Sequence, residues 1–238
     1  MLIAIIETGA PAPALERRFG GYPAMMERML APLSPGRVAF MTRRLHLGER
    51  APSPAEIDGA LITGSPAGVY DGFDWIASLA DFIRAMAGAG RPQVGICFGH
   101  QAMAAAFGGR VEKSEKGWGV GVHDYAVFDQ PDWMRPAAQR LSCVVSHQDQ
   151  VTEPPPGARL LAGSDFCPYG AFAYAQGPAL SFQMHPEFEH DFAAALLRSR
   201  KERIAGELYD EALSSLSRST DRRLIAQWIA NFFQESFA

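Results

Sequence analysis

The chain opens on a short apolar run, residues 2–6, closed by Glu7. An unbroken run of this length predicts a strand buried on both faces of a parallel sheet. Residues 37–42, 59–63 and 93–96 predict three more strands. Helical spacing appears between them. Over residues 14–30, Leu15, Phe19, Tyr22, Met25, Met26 and Met29 recur at helical intervals, interrupted by Gly20-Gly21 and Pro23. Residues 75–87 predict an amphipathic helix, and residues 99–107 an alanine-rich one stopped by Gly108-Gly109. Strands alternating with helices imply βαβ units.

After residue 110 the pattern changes. Residues 120–122, 126–128 and 141–145 are short strand-like runs, and three prolines at 154–156 mark a loop. A further pair of strands is predicted at 171–174 and 179–183. From about residue 188 the spacing is helical throughout, with Leu197, Ile204, Leu208, Leu216, Trp228 and Phe232 among the periodic apolar positions. The expected fold is α/β: an open, mostly parallel sheet flanked by helices, with a small antiparallel portion and a helical C-terminal tail. No repeat, low-complexity tract or linker interrupts it. We therefore expect one domain over residues 1–238, with a core of about 1–190 and an extension of about 191–238.

Composition narrows the function. A hydrophobic share of 47% in 238 residues can supply a sizeable core. The net charge of -4, without a dense Lys/Arg cluster, argues against nucleic acid as a partner. Cys97, Cys143 and Cys167 are an odd, widely spaced set that suits neither a disulfide framework nor a zinc site. The histidines show no H-x-x-H or H-E-x-x-H spacing, so no metal is expected. The N-terminus lacks a basic region before its apolar run, and no stretch approaches the roughly 20 apolar residues that span a bilayer. A soluble, cytoplasmic protein without a membrane partner is expected.

The strongest local signal is Gly95-Ile96-Cys97-Phe98-Gly99-His100-Gln101. An apolar strand runs straight into a helix, with glycines two before and two after the cysteine. This is a nucleophile elbow with Cys at its tip. A Cβ at either flanking position would clash in so sharp a turn. The tip stands above the carboxyl end of the sheet, and the helix N-terminus beside it favours a thiolate. Taken alone, the pattern also fits a buried core cysteine between two packing glycines.

A partner for the thiol appears at Ser181-Phe182-Gln183-Met184-His185-Pro186-Glu187. The apolar lead-in predicts a strand ending at His185. Glu187, two residues on, can accept a hydrogen bond from one imidazole nitrogen while the other faces the thiol. His46, His123 and His190 lack such a setting and are expected at the surface or in caps. His100 is expected to pack locally.

At these residues the sequence resembles the class I (triad) glutamine amidotransferases, with their G-x-C-x-G-x-Q and distant H-x-E motifs. Gly95, Cys97, Gly99, Gln101, His185 and Glu187 match. The resemblance runs from about residue 2 to 187 and implies a flavodoxin-like sheet and a Cys97-His185-Glu187 triad. It also implies cysteine-dependent cleavage of a γ-glutamyl amide through a thioester, with no cofactor. The backbone amides of Ser65 and Phe98 would form the oxyanion hole. Gly64, Gln101, His147, Gln148 and Asp149 would hold the glutamyl group. Ser65 and Gln148 stand where the family often has glycine.

Finer features resemble the stand-alone γ-glutamyl peptidase-like branch and GMP synthase amidotransferase domains. They are Gly20-Gly21-Tyr22, Thr63-Gly64-Ser65, Lys116-Gly117-Trp118 and the helical tail. The alternatives are a subunit that delivers ammonia to a synthetase partner in trans, or a non-catalytic regulatory protein on this scaffold.

Overall fold

A computed structural model describes residues 1–34 and 36–237. The first half alternates strands and helices as the apolar runs predict. β1 (Leu2–Glu7) leads to α1 (Pro13–Phe19) and α2 (Tyr22–Leu30). The Gly20-Gly21 interruption thus divides one predicted helix into two. β2 (Ala39–Arg44) and β3 (Gly59–Ile62) follow, then α3 (Asp74–Gly88), β4 (Gln93–Ile96) and α4 (Phe98–Ala106).

The second half adds β5 (Arg110–Lys113), β6 (Gly119–Val127), β7 (Arg140–His147) and β8 (Asp149–Glu153). Next come β9 (Arg159–Gly163), β10 (Ala171–Ala173) and β11 (Ala179–Phe182). Three helices close the chain: α5 (His190–Ser199), α6 (Gly206–Ser215) and α7 (Arg222–Glu235). Two of the predicted short runs merge into the single strand β6, and the tail is broken at residues 200–205 and 216–221 rather than continuous.

Nine strands form one sheet in the order β2-β1-β3-β4-β11-β10-β9-β6-β7. The first five are mutually parallel, and the remaining pairings are antiparallel. β5 and β8 make a separate two-stranded ribbon. One register positions the site. β11 lies parallel to β4, with Ser181 opposite Gly95 and Phe182 opposite Ile96. Both strands therefore release their chains at the same end of the sheet, although a long crossover separates them in sequence.

Both faces of the parallel part are covered. Ile3 and Ile5 of β1 pack with Met26 of α2 and with Trp228 and Ile229 of α7 on one side. Ala4 and Ile6 pack with Ile83 and Met86 of α3 and Met103 of α4 on the other. This alternation is why β1 reads as a continuous apolar run. Trp228 is fully buried, and its indole N–H donates to the Pro136 carbonyl at 2.9 Å. A third cluster packs Phe188, Phe192 and Leu196 with Val120 and Val144 of the antiparallel part. Among the described residues no helix is long and apolar enough to cross a membrane.

Candidate active site

The chain leaves β4 through a turn whose tip is Cys97, at φ 53° and ψ -102°. Cys97 is the one non-glycine residue with positive φ among those described. Such a backbone costs about 1–3 kcal/mol and persists only where its surroundings enforce it. Here the flanking glycines allow the enforcement. A Cβ on Gly95 would lie 2.5 Å from the carbonyl carbon and oxygen of Gly99, and one on Gly99 2.6 Å from the Ile62 oxygen. The Cys97 amide donates to the Phe182 carbonyl of β11 at 2.8 Å, which ties the turn to the neighbouring strand.

β11 ends at Phe182, three residues earlier than the sequence pattern suggests, so His185 sits in the turn beyond it. Its amide donates to the Val144 carbonyl at 2.9 Å. The ring Nδ1–H donates to Glu187 Oε1 at 2.7 Å, and the ring stacks on Phe188 with centroids 4.0 Å apart. Both contacts fix the imidazole plane. Cys97, His185 and Glu187 are all nearly enclosed, at 5%, 4% and 2% exposure. Gly64 fills the space beside them: a Cβ there would stand 3.1 Å from His185 Cε1 and 3.7 Å from Cys97 Cβ.

Electrostatics separate the buried histidines. Burial alone would push the His185 pKa down, but the negative charge at Cys97, then that at Glu187, and hydrogen bonds to both outweigh it and lift the value to about 10. His100 and His147 have no such anions beside them, and burial pushes each down to about 3. The stabilisation tied to the His185 proton is complete below the free-imidazole value of 6.5 and is lost as pH rises through about 10. His185 is expected to keep the ring 15N shifts of an imidazolium through pH 8. An NMR titration midpoint at or below pH 7 would contradict this assignment.

The loop after β3 is anchored from beneath. The Thr8 hydroxyl lies 3.0 Å from the Thr63 carbonyl and 3.1 Å from that of Gly64, and Thr63 Oγ1 is also 3.1 Å from the Gly64 carbonyl. A trans peptide points its N–H opposite its C=O, so the Ser65 amide is turned away from Thr8. The Ser65 hydroxyl donates back to the Thr8 carbonyl at 2.7 Å. Ser65 needs no left-handed backbone in place of the family's glycine. As the first residue of α4, Phe98 has an amide with no intrahelical acceptor.

A cleft of about 110 Å³ opens above Cys97. Ser65, Pro66 and Ala67 form one wall, and Gln101 and residues 146–149 another. Gln101 donates to the Asp149 carbonyl at 2.8 Å and to Gln183 Oε1 at 3.1 Å. His147 Nδ1 lies 3.1 Å from the Asp149 carbonyl, and its ring packs on Phe166. The Gln148 carbonyl accepts from the Ser114 amide at 3.0 Å. Tyr70 bridges the walls, its hydroxyl donating to Asp149 Oδ2 at 2.9 Å. All ten residues singled out in the sequence therefore gather at one end of the sheet. His100 is a structural residue, with Nδ1 2.7 Å from the Ser181 hydroxyl.

Sequence reasoning did not assign several contributors to this cleft. Trp118, Arg200 and Arg203 also line it. The two arginines look like ordinary solvent-facing positions after a helix, and only their spacing across the α5 end brings both to Trp118.

The glutamine amidotransferase class-I family profile matches residues 42–200, more than half of the chain. A subunit of the glutamine-hydrolysing GMP synthase from Thermococcus kodakarensis is 37% identical over 117 residues, which cover 49% of this chain and 62% of that protein. γ-Glutamyl peptidase 3 from Arabidopsis thaliana is 27% identical over 186 residues, 74% of each chain. For γ-glutamyl peptidase 2 and for the GMP synthase subunit, the matched stretch spans less than two thirds of the relative, 57% and 62%. A glutamine amidotransferase structure from Thermotoga maritima superposes with a TM-score of 0.77 over 99% of this chain and 97% of that one, at 17% identity. That likeness establishes the fold. The profile match across the elbow and the His-Pro-Glu turn establishes the lineage: the chain belongs to the class-I glutamine amidotransferases.

Proposed function

We propose that the protein hydrolyses a γ-glutamyl amide bond, with Cys97 as nucleophile, His185 as general acid and base, and Glu187 as the group that orients His185. The observation that carries this reading is the strained Cys97 elbow beside an imidazole held by Glu187 at 2.7 Å. The Cys97 thiolate attacks the γ-carbonyl carbon. The amides of Ser65 and Phe98 donate to the oxyanion that forms. As the C–N bond breaks, the His185 imidazolium gives its proton to the departing amine and leaves a glutamyl thioester. Water then loses a proton to His185 and adds to the thioester carbon. The C–S bond breaks, releasing glutamate and restoring the thiolate.

Gly64, Gln101, Gln148 and Asp149 supply the walls against which the glutamyl group lies. His147 adds to the same wall, with its Nδ1 3.1 Å from the Asp149 carbonyl. No cofactor is required by any step.

The test is release of glutamate from glutamine and from several γ-glutamyl dipeptides, together with mass analysis after incubation with an electrophilic glutamine analogue. Turnover of at least one compound and a single adduct on the Cys97 peptide are expected. No glutamate from any compound and no adduct would overturn the reading. A second reading, delivery of ammonia to a synthetase in trans, draws on the similarity to the GMP synthase subunit. It predicts glutaminase activity that rises sharply with a co-purifying partner.

A further inference from the structure

Two cations of the cleft take no part in the reaction above. Arg200 follows the end of α5, and Arg203 closes the 3-10 turn Lys201–Arg203. Both line the cleft above Cys97. Their guanidinium carbons stand 5.5 and 6.0 Å from the centroid of the Trp118 ring, so one indole serves two cations. Arg200 reaches deeper and donates to the Ser146 hydroxyl at 2.6 Å. Arg203 is exposed at the rim.

Neither arginine meets a carboxylate in the ion pairs among the described residues. Arg110, Arg135 and Arg218, by contrast, each do. Burial lowers the Arg200 pKa, and the nearby charge of Arg203 lowers it further, while charge at Tyr22 and Cys97 opposes the shift. Arg200, partly desolvated and close to a second guanidinium, carries an electrostatic cost that an anion entering the cavity relieves.

Charge matching indicates which anion. A γ-glutamyl group brings one α-ammonium and one α-carboxylate. Asp149, on the cleft wall, offers a negative charge for the ammonium. The α-carboxylate matches one guanidinium and leaves the other. Glutamine has nothing further to offer it. A γ-glutamyl amino acid does, through the carboxylate of the departing amine.

We propose, resting on the γ-glutamyl hydrolase reading, that Arg200, Arg203 and Trp118 form a double carboxylate subsite, and that the substrate is a γ-glutamyl amino acid or short peptide. Arg200 takes the α-carboxylate, and Arg203 takes the carboxylate of the leaving amino acid.

The experiment compares kcat/KM for γ-glutamylglycine, for γ-glutamyl methylamide and for γ-glutamyl ethylenediamine, whose leaving group is cationic. The wild-type chain is expected to favour γ-glutamylglycine over the methylamide by about tenfold, the scale of one hydrogen-bonded charge contact. Arg203→Gln should bring that ratio close to one, and Arg203→Glu should turn the preference toward the ethylenediamine compound. A general folding defect lowers all three rates together and cannot reverse a preference. Ratios unchanged in both variants of an active enzyme would overturn the subsite and leave the hydrolase reading intact. A wild-type chain that cleaves none of the three, nor glutamine, would overturn both.

Discussion

Cys97→Ala is expected to lower γ-glutamyl hydrolysis by about 10⁴–10⁶-fold, the range seen when a nucleophile is removed from a triad. The loss should fall on turnover, because the proposed walls around Ser65, Gln101 and Asp149 do not depend on the sulfur. The fold should survive. Alanine keeps a Cβ at φ 53° and so keeps the strain of the turn, and the amide bond to Phe182 does not involve the side chain. The same variant reports on the imidazole. Charge at Cys97 is the first of the influences that raise the His185 pKa, so its removal should bring that pKa down from about 10. A steady-state assay and an NMR titration on one preparation check both outcomes. Retained turnover would refute the assignment of Cys97.

Gly95→Ala should destabilise the protein by about 1–3 kcal/mol, the usual cost of overpacking a close-packed interior. The added methyl would meet the carbonyl of Gly99 at 2.5 Å and Met103 Sδ at 2.7 Å. Methionine can swing aside; the first turn of α4 cannot move without shifting the thiol. A lower urea midpoint with an unchanged m-value is expected, together with reduced activity. An unchanged midpoint would show that the strand and helix are less tightly apposed than described. Gly36 and Gly72 serve as contrasts, since a Cβ at either meets nothing within 4 Å. Gly72 is the cleaner control, because Gly36 also has a positive φ.

The parallel half of the fold was legible because β1 and β4 are buried on both faces and so appear as unbroken apolar runs. The elbow was legible because its glycines have a steric reason that any close strand–helix turn must satisfy. The antiparallel half was harder to read. Gly119, Gly121, His123 and Asp124 divide β6 into fragments, since a strand of mixed burial has neither a continuous nor a cleanly alternating signal. β5 and β8 carry Arg110, Glu112, Lys113 and Glu153 on open faces, so their charges mask them.

The site shows the same division. Cys97 and His185 are adjacent because β4 and β11 are neighbours, a pairing between distant segments that local pattern cannot reveal. Only the motifs pointed to it. Arg200 and Arg203 had no motif at all, and a basic residue after a helix looks like a solvated end until tertiary structure sets it against a cleft.

The bond from the Cys97 amide to the Phe182 carbonyl has a mechanical meaning. Sulfur and imidazole are mounted on two rails of one framework rather than on separate arms. Exposed residues such as Tyr70 can change in size or charge while the spacing between attacking atom and proton carrier stays set by the interior. Selectivity can thus drift during descent from a common ancestor, through changes at the rim, without retuning the reactive pair.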